Sequence, residues 1–262
     1  MADYQLFLDG RNPLTVKDYS GTHSRRDVIE VILFQQALAA GGFEGQINFV
    51  PEISYRRSLR QLISGQIIST GTTKWYLDFE PLKQHLFITT PLIRDGEFLV
   101  GLYHLESRPE LAQLTIANIT EHPIITSLQW RADINAITTA GFNNVVYGSD
   151  WRSMLRMLQA GRGDIIAAPF PNSANLAMEA DEDTLTPVQN IRLHIPGQRH
   201  WLVSQTHPQG QHLFQALQKG LSALREQGTV IRAYRQAGFF NNKTQHWAIL
   251  PPTIKPADLS FD

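Results

Sequence analysis

The chain has no cysteine in 262 residues, which excludes disulfides, thiolate metal sites and a cysteine nucleophile. A protein without thiols also suits an oxidising compartment, where thiols mispair. Net charge is nearly absent, at −1, so no field draws the chain to nucleic acid or to an anionic membrane. No window approaches the run of about 18 apolar residues that a membrane-spanning helix needs. The opening Met1-Ala2-Asp3-Tyr4-Gln5 has neither a basic region nor an apolar run behind it. The chain is therefore expected to be either cytoplasmic or the mature form of an exported protein.

Catalytic signatures are missing as well. G-x-S-x-G, P-loop, G-x-G-x-x-G and H-E-x-x-H patterns do not occur, and no spaced carboxylate pair for acid/base work stands out. The nine histidines are scattered without metal-ligand spacing, so neither a metal nor another cofactor is expected.

What the chain does contain is 42% hydrophobic residues, with short apolar strands alternating with helical patterns almost throughout. That alternation predicts an α/β protein with mostly parallel pairing. Tyr4 to Leu8 reads as a first strand, followed by a polar loop to Ser24. Ser24 is expected to cap a helix from Arg25 to Ala40, and Ile47 to Val50 to form the next strand. Ser54 opens a helix whose Tyr55, Leu59, Leu62 and Ile63 share a face. Strands are then expected at Ile67-Ile68, Leu86 to Thr89 and Phe98 to Tyr103.

From about residue 104 a second cycle runs: strand Ile124 to Thr126, helix Trp130 to Ala140, strand Val145 to Tyr147, a helix capped by Ser149, and strand Asp164 to Ala168. Asn172 to Met178 reads as a further helix. Ala180 to Gln189, acidic and proline-bearing, reads as a surface loop. The last third holds an apolar strand, His200 to Val203, then Leu213, Ala216, Leu217, Leu221 and Leu224 at helical spacing. Gly228 sits where a left-handed residue would end that helix, and Val230, Ile231 and Tyr234 form one face of a second.

Several of these pieces resemble the motifs of the bacterial extracellular solute-binding proteins of family 3, the type II periplasmic binding proteins. Leu62-Ile63-Ser64-Gly65-Gln66-Ile67 is similar to the family's L-x-x-G-x-x-D element, and Leu86 to Pro91 to its V-D-F-S-x-P strand and turn. Leu158-Gln159-Ala160-Gly161-Arg162-Gly163-Asp164 is the nearest local match, to L-x-x-G-R-x-D. The helix pair broken at Gly228-Thr229 resembles the family's closing signature.

The resemblance implies the type II periplasmic-binding-protein fold: two α/β lobes joined by a two-crossing hinge, with a ligand cleft between them. Lobe 1 would be residues 1–99 plus 200–262, and lobe 2 residues 100–199. It implies a periplasmic protein, expected to be a monomer, that captures a small polar or anionic metabolite by lobe closure for an ABC permease. A sensory or orphan binder of the same fold, or a dehydratase-like enzyme on it, stands as the alternative.

Candidate ligand-binding residues follow from strand ends and helix starts. Arg11 could grip a carboxylate bidentately, or be an ordinary loop arginine. Tyr55 matches a ligand-stacking aromatic of the family, although a tyrosine on an apolar helix face also suits a core. Thr72 and Trp75 lie in a polar stretch after a strand, offering a hydroxyl and a flat ring with one donor. Gln129, Trp130 and Arg131 open a helix directly after a strand, where unpaired N–H groups and the helix dipole favour an anion. Phe170 could line an apolar body. The family's carboxylate-clamping arginine falls here at Leu82, and its ammonium-binding acid at Pro169-Phe170, which argues against an α-amino acid as ligand.

Overall fold

The computed structural model describes residues 2–51, 54–180 and 182–251, and of Tyr55 only the backbone. In chain order the helices and strands are α1 (Ala2–Leu8), α2 (Arg26–Ala40), α3 (Tyr55–Ile63), β1 (Lys74–Trp75), α4 (Tyr76–Phe79), β2 (Leu86–Ile88), β3 (Leu99–Leu105), β4 (Ile124–Ser127), α5 (Arg131–Thr139), β5 (Val145–Gly148), α6 (Trp151–Gln159), β6 (Ile165–Ala168), β7 (Met178–Ala180), β8 (Asp183–His194), β9 (Arg199–His200), β10 (Leu202–Ser204), α7 (Gly210–Glu226), α8 (Thr229–Gln236) and β11 (Ala248–Leu250). They divide into two compact units. Unit 1 takes the chain up to Arg94 plus Gln198–Gly238; unit 2 takes Asp95–Gly197 plus the described residues from Phe239 onward.

Unit 1 is built on α2 and α7. Ile29, Ile32, Leu33 and Ala37 of α2, and Leu213, Leu217 and Leu221 of α7, are buried. The two helices pack backbone to backbone: a Cβ on Gly41 would meet the Ala216 carbonyl oxygen at 1.9 Å, and one on Gly220 would meet that of Ala37 at 1.7 Å. Gly228, at φ 67°, takes the left-handed conformation that lets α8 start at a new angle. Strand pairing in this unit is short and antiparallel, β1 with β9 and β2 with β10. Leu59, Leu62, Phe79, Leu86 and Leu202 make a local core, and Leu82 packs against it. An apolar side chain at that position thus has a packing role.

Unit 2 carries a mixed sheet in the order β11-β8-β3-β6-β4-β5, with β7 added to β8. β4 pairs parallel with β5 and β6, and β11 parallel with β8, whereas β3 runs antiparallel to both neighbours. Met154, Leu155 and Leu158 of α6 cover Ile125, Ile166 and Tyr103.

The structure departs from the sequence reading in several places. Tyr4 to Leu8 is helical, because Tyr4, Phe7 and Leu8 fall on one helical face: Phe7 and Leu8 are buried, and Gln35 of α2 donates to the Tyr4 hydroxyl at 2.7 Å. Ile47 to Val50 forms no strand, and Ile67-Ile68 contributes only backbone bonds beside an isolated bridge at Ser69. Ser24 does not cap α2; its hydroxyl donates to the Tyr19 carbonyl, and Arg25 stands at the cap position. Asp150, not Ser149, caps α6 by accepting from the Ser153 N–H at 2.9 Å.

Asn172 to Ala177 is a turn, held by Asn175 accepting from the Ala177 N–H and by Leu176 at φ 62°, and Met178 opens β7. Within the loop expected at Ala180 to Gln189, Ala180 ends β7 and the residues from Asp183 onward start the long β8, in which Leu185, Pro187 and Val188 are buried; residue 181 lies outside the described residues. Pro187 is accommodated because the β3–β8 register shifts nearby, with Asn190 at φ 65°. Pairing is also less parallel than expected. The described residues after Gly238 group with unit 2 through the β11–β8 pairing, whereas the sequence pattern assigns them to the first lobe.

Candidate functional site

Within unit 2 the parallel strands β4 and β5 end side by side, Ser127 opposite Gly148. Ligand sites of α/β proteins gather at such C-terminal strand ends. Here the chain leaves β4 through Leu128, which is 69% exposed, and Tyr147 on β5 is 43% exposed. Gln129 is exposed, and its N–H donates to the Ser127 hydroxyl at 3.3 Å. The Trp130 N–H donates to the Ser127 carbonyl at 3.0 Å, a tight turn that delivers Trp130 to the N-cap of α5.

The Trp130 ring packs on the unit 2 core. Its side chain offers no cap to the helix, whose first turn carries Asp133 at the positive end of the dipole. Arg131 follows, exposed, on the first turn. Gln129, Trp130 and Arg131 thus follow exposed Leu128 at this strand end, an amide, an indole and a guanidinium in sequence, with Tyr147 on the paired strand β5 opposite Thr126.

The other sequence candidates occupy different surroundings. In unit 1, half-buried Thr72 precedes β1, and buried Trp75 ends it, with the Arg199 guanidinium over the Trp75 ring at 4.7 Å from its centre. Arg11 is exposed, but its guanidinium is engaged on α1, donating to the Leu8 carbonyl at 2.9 Å and to that of Phe7. Arg11 therefore ties off the C-terminal end of that helix, where a cation is favourable. Phe170 is core: it lies 6.3 Å from Tyr103 and edge-on to Trp247 at 5.6 Å. Tyr55 begins α3, and its side chain lies outside the described residues.

Sequence reasoning missed a buried polar cluster in unit 1. Glu30 of α2 is 0% exposed. Its carboxylate accepts from Arg26 at 2.8 Å, from the Thr73 N–H at 2.8 Å and hydroxyl at 2.9 Å, and from the Tyr234 hydroxyl at 3.1 Å. Arg199 donates to the Thr73 hydroxyl at 2.9 Å and to its carbonyl at 2.6 Å. Burial pushes the Glu30 pKa up, but Arg26, Arg199 and the Thr73 donors outweigh it and hold the carboxyl below its ordinary value. The available signal was one acid inside the apolar run Val28-Ile29-Glu30-Val31-Ile32-Leu33, with Arg26 one turn earlier.

Among the described residues no group of His, Asp and Glu could hold a metal ion, and no helix is long and apolar enough to cross a membrane.

No family model matches the sequence. No curated protein matches it either. Solved structures do match by shape. The chain is similar to the probable amino-acid ABC transporter extracellular-binding protein YtmK of Bacillus subtilis, at 11% identity over 79% of this chain and 86% of that one, with a TM-score of 0.59. It is similar to the VFT2 domain of BvgS from Bordetella pertussis, at 14% identity over 79% and 83%, TM-score 0.56. A third likeness is an ancestral amino acid-binding protein described as a precursor of cyclohexadienyl dehydratase, at 11% identity over 86% and 90%, TM-score 0.50. The chain has the α/β fold of type II periplasmic binding proteins, as its sequence motifs imply.

Proposed function

We propose that this protein is a non-enzymatic solute-binding protein that captures a small polar or anionic metabolite by closure of its lobes and presents it to an ABC-type importer. The observation that carries this reading is the β4–α5 junction, where Arg131, Gln129 and Trp130 meet at a helix N-terminus beside exposed Leu128 and Tyr147. A guanidinium and a helix dipole together favour an anion, and the apolar neighbours suit a ligand with an organic body. Thr72 and Trp75 are proposed as further ligand contacts from unit 1. A periplasmic or extracellular location belongs to the same proposal, and its support is the company of ABC-transporter binding proteins among the structural neighbours.

A dehydratase-like enzyme on the same fold is the second reading, favoured by the likeness to the precursor of cyclohexadienyl dehydratase. In either case the test is a thermal-shift screen of small metabolites on the intact chain, followed by titration of each responder. A saturable rise in melting temperature with small anions, lost in Arg131→Ala, is expected. No response to any metabolite, or a response that Arg131→Ala and Trp130→Ala both leave unchanged, would remove this assignment.

A further inference from the structure

Unit 2 buries a positive charge that no described carboxylate neutralises. Arg192 of β8 is 4% exposed. Its Nη2 donates to the backbone carbonyls of Gln245 and Trp247, each at 3.0 Å, and its Nε has no partner. Burial draws its pKa down to about 10, which leaves it charged at neutral pH. The Tyr103 hydroxyl, on β3, is likewise fully buried and unpartnered. Arg192 lies opposite Gly101, and Tyr103 is on the same face of β3 as Gly101. Both polar groups therefore share one face of the sheet, the face lined by Phe170 and Trp247.

Leaving a buried guanidinium nitrogen and a phenol unpartnered costs stability, and a group kept at such a cost calls for a reason. The chemistry of the covering residues supplies one. A guanidinium presents a planar fork that a carboxylate fills with two oxygens. Here two carbonyls converge on one nitrogen and leave Nε bare. Trp247 contributes both an oxygen to Arg192 and a flat ring edge-on to Phe170. An aromatic carboxylate would offer the same pair of features, with a second oxygen for Nε.

We propose that Arg192, Tyr103 and Phe170 form a binding site within unit 2 for a small aromatic carboxylate, and that the turn ending in Trp247 occupies it as an internal stand-in that such an anion displaces. The proposal rests on the solute-binding reading and adds to it a second site, on β3 and β8, with its own ligand class. The turn is held otherwise by Lys243, which donates to the Ser173 and Ala174 carbonyls, by Asn241, which donates to the Pro171 carbonyl at 3.4 Å, by the three-residue pairing of β11 with β8, and by the burial of Thr244 and Trp247.

The test is calorimetric titration of benzoate into the intact chain, with benzamide as its uncharged isostere, on the parent, Tyr103→Phe and Arg192→Met. Benzoate is expected to bind saturably and benzamide at least about tenfold more weakly, since only the anion fills the fork. Tyr103→Phe removes a hydroxyl without a partner, so it should raise the melting temperature of the free protein while weakening benzoate about tenfold. Arg192→Met should abolish benzoate binding; should that variant not fold, Tyr103→Phe alone decides. Benzoate should also speed hydrogen exchange across residues 241–250. Absence of benzoate binding, or equal affinity in the parent and Tyr103→Phe, would overturn the proposal. Benzoate binding that depends on Arg131 but not on Tyr103 would keep the solute-binding reading and discard this one.

Discussion

Glu30 and Tyr234 are hydrogen-bonded at 3.1 Å inside unit 1 although 204 residues separate them in the chain. The contact joins the first long helix to the last one, with Arg26, Thr73 and Arg199 closing the same cluster. A buried carboxylate of this kind is tolerated only because every donor around it is present.

Removing the carboxylate charge should therefore be costly. Glu30→Gln is expected to destabilise the protein by about 3 kcal/mol, because Arg26 and Arg199 lose their anion in a buried setting. Urea unfolding followed by circular dichroism measures this, and a change below about 1 kcal/mol would mean that the cluster is not coupled as its geometry implies.

Acid should weaken the fold through two histidines. Burial lowers the His200 pKa, its bond to the Thr89 carbonyl opposes that, and Arg225 lowers it further; burial also lowers His194, against the pull of Asp95. Because the folded pKa values lie below the unfolded ones, the unfolded chain binds protons that the native protein refuses. Stability is thus full above about pH 6.5 and falls as pH drops below it. Glu30, with its depressed folded value, adds a further loss only at lower pH, as the solution passes below the ordinary glutamate range. His200→Asn keeps a donor for the Thr89 carbonyl and should flatten the decline between pH 6.5 and 5.5, read as unfolding midpoints at each pH.

The α2–α7 crossing leaves no room for a methyl group. Gly220→Ala places Cβ against the Ala37 carbonyl, which cannot rotate away, so a loss of at least about 2 kcal/mol is expected. A denaturant midpoint equal to the parent's would show that the helices separate freely.

At the β4–α5 junction, Arg131→Ala should weaken an anionic ligand about tenfold and leave the unfolding free energy within about 0.5 kcal/mol of the parent, since the residue is exposed. Trp130→Ala should lower both affinity and stability, because its ring packs on the unit 2 core.

Much of this architecture can be read from residue patterns, and the failures have physical reasons. α7, the break at Gly228 and α8 are legible because an apolar stripe and a left-handed glycine report on local structure alone. Buried β4 and β6 are legible as short apolar runs. α1 misleads because a five-residue apolar stretch fits either period until its partner, α2, is known. β8 misleads because Pro187, Asn190 and its acidic start imitate a loop, and only the shifted pairing with β3 makes room for them. At the level of side chains, the β4–α5 junction follows from a strand end beside a helix start. The isolation of Arg192 and the partners of Glu30 do not, since both depend on residues distant in sequence.

The interleaving of the two units governs how the chain can mature on the ribosome. Residues up to Arg94 emerge first, yet Arg199 and Tyr234 of the Glu30 cluster lie beyond the whole of Asp95–Gly197. Until they appear, the early segment must carry a carboxylate it cannot fully satisfy, and a nascent unit 1 is bound to be provisional. Unit 2 waits longer still, because β11 completes the edge of its sheet from residues that follow α8. Both units are therefore completed close together in time, unit 1 by α8 and unit 2 by β11.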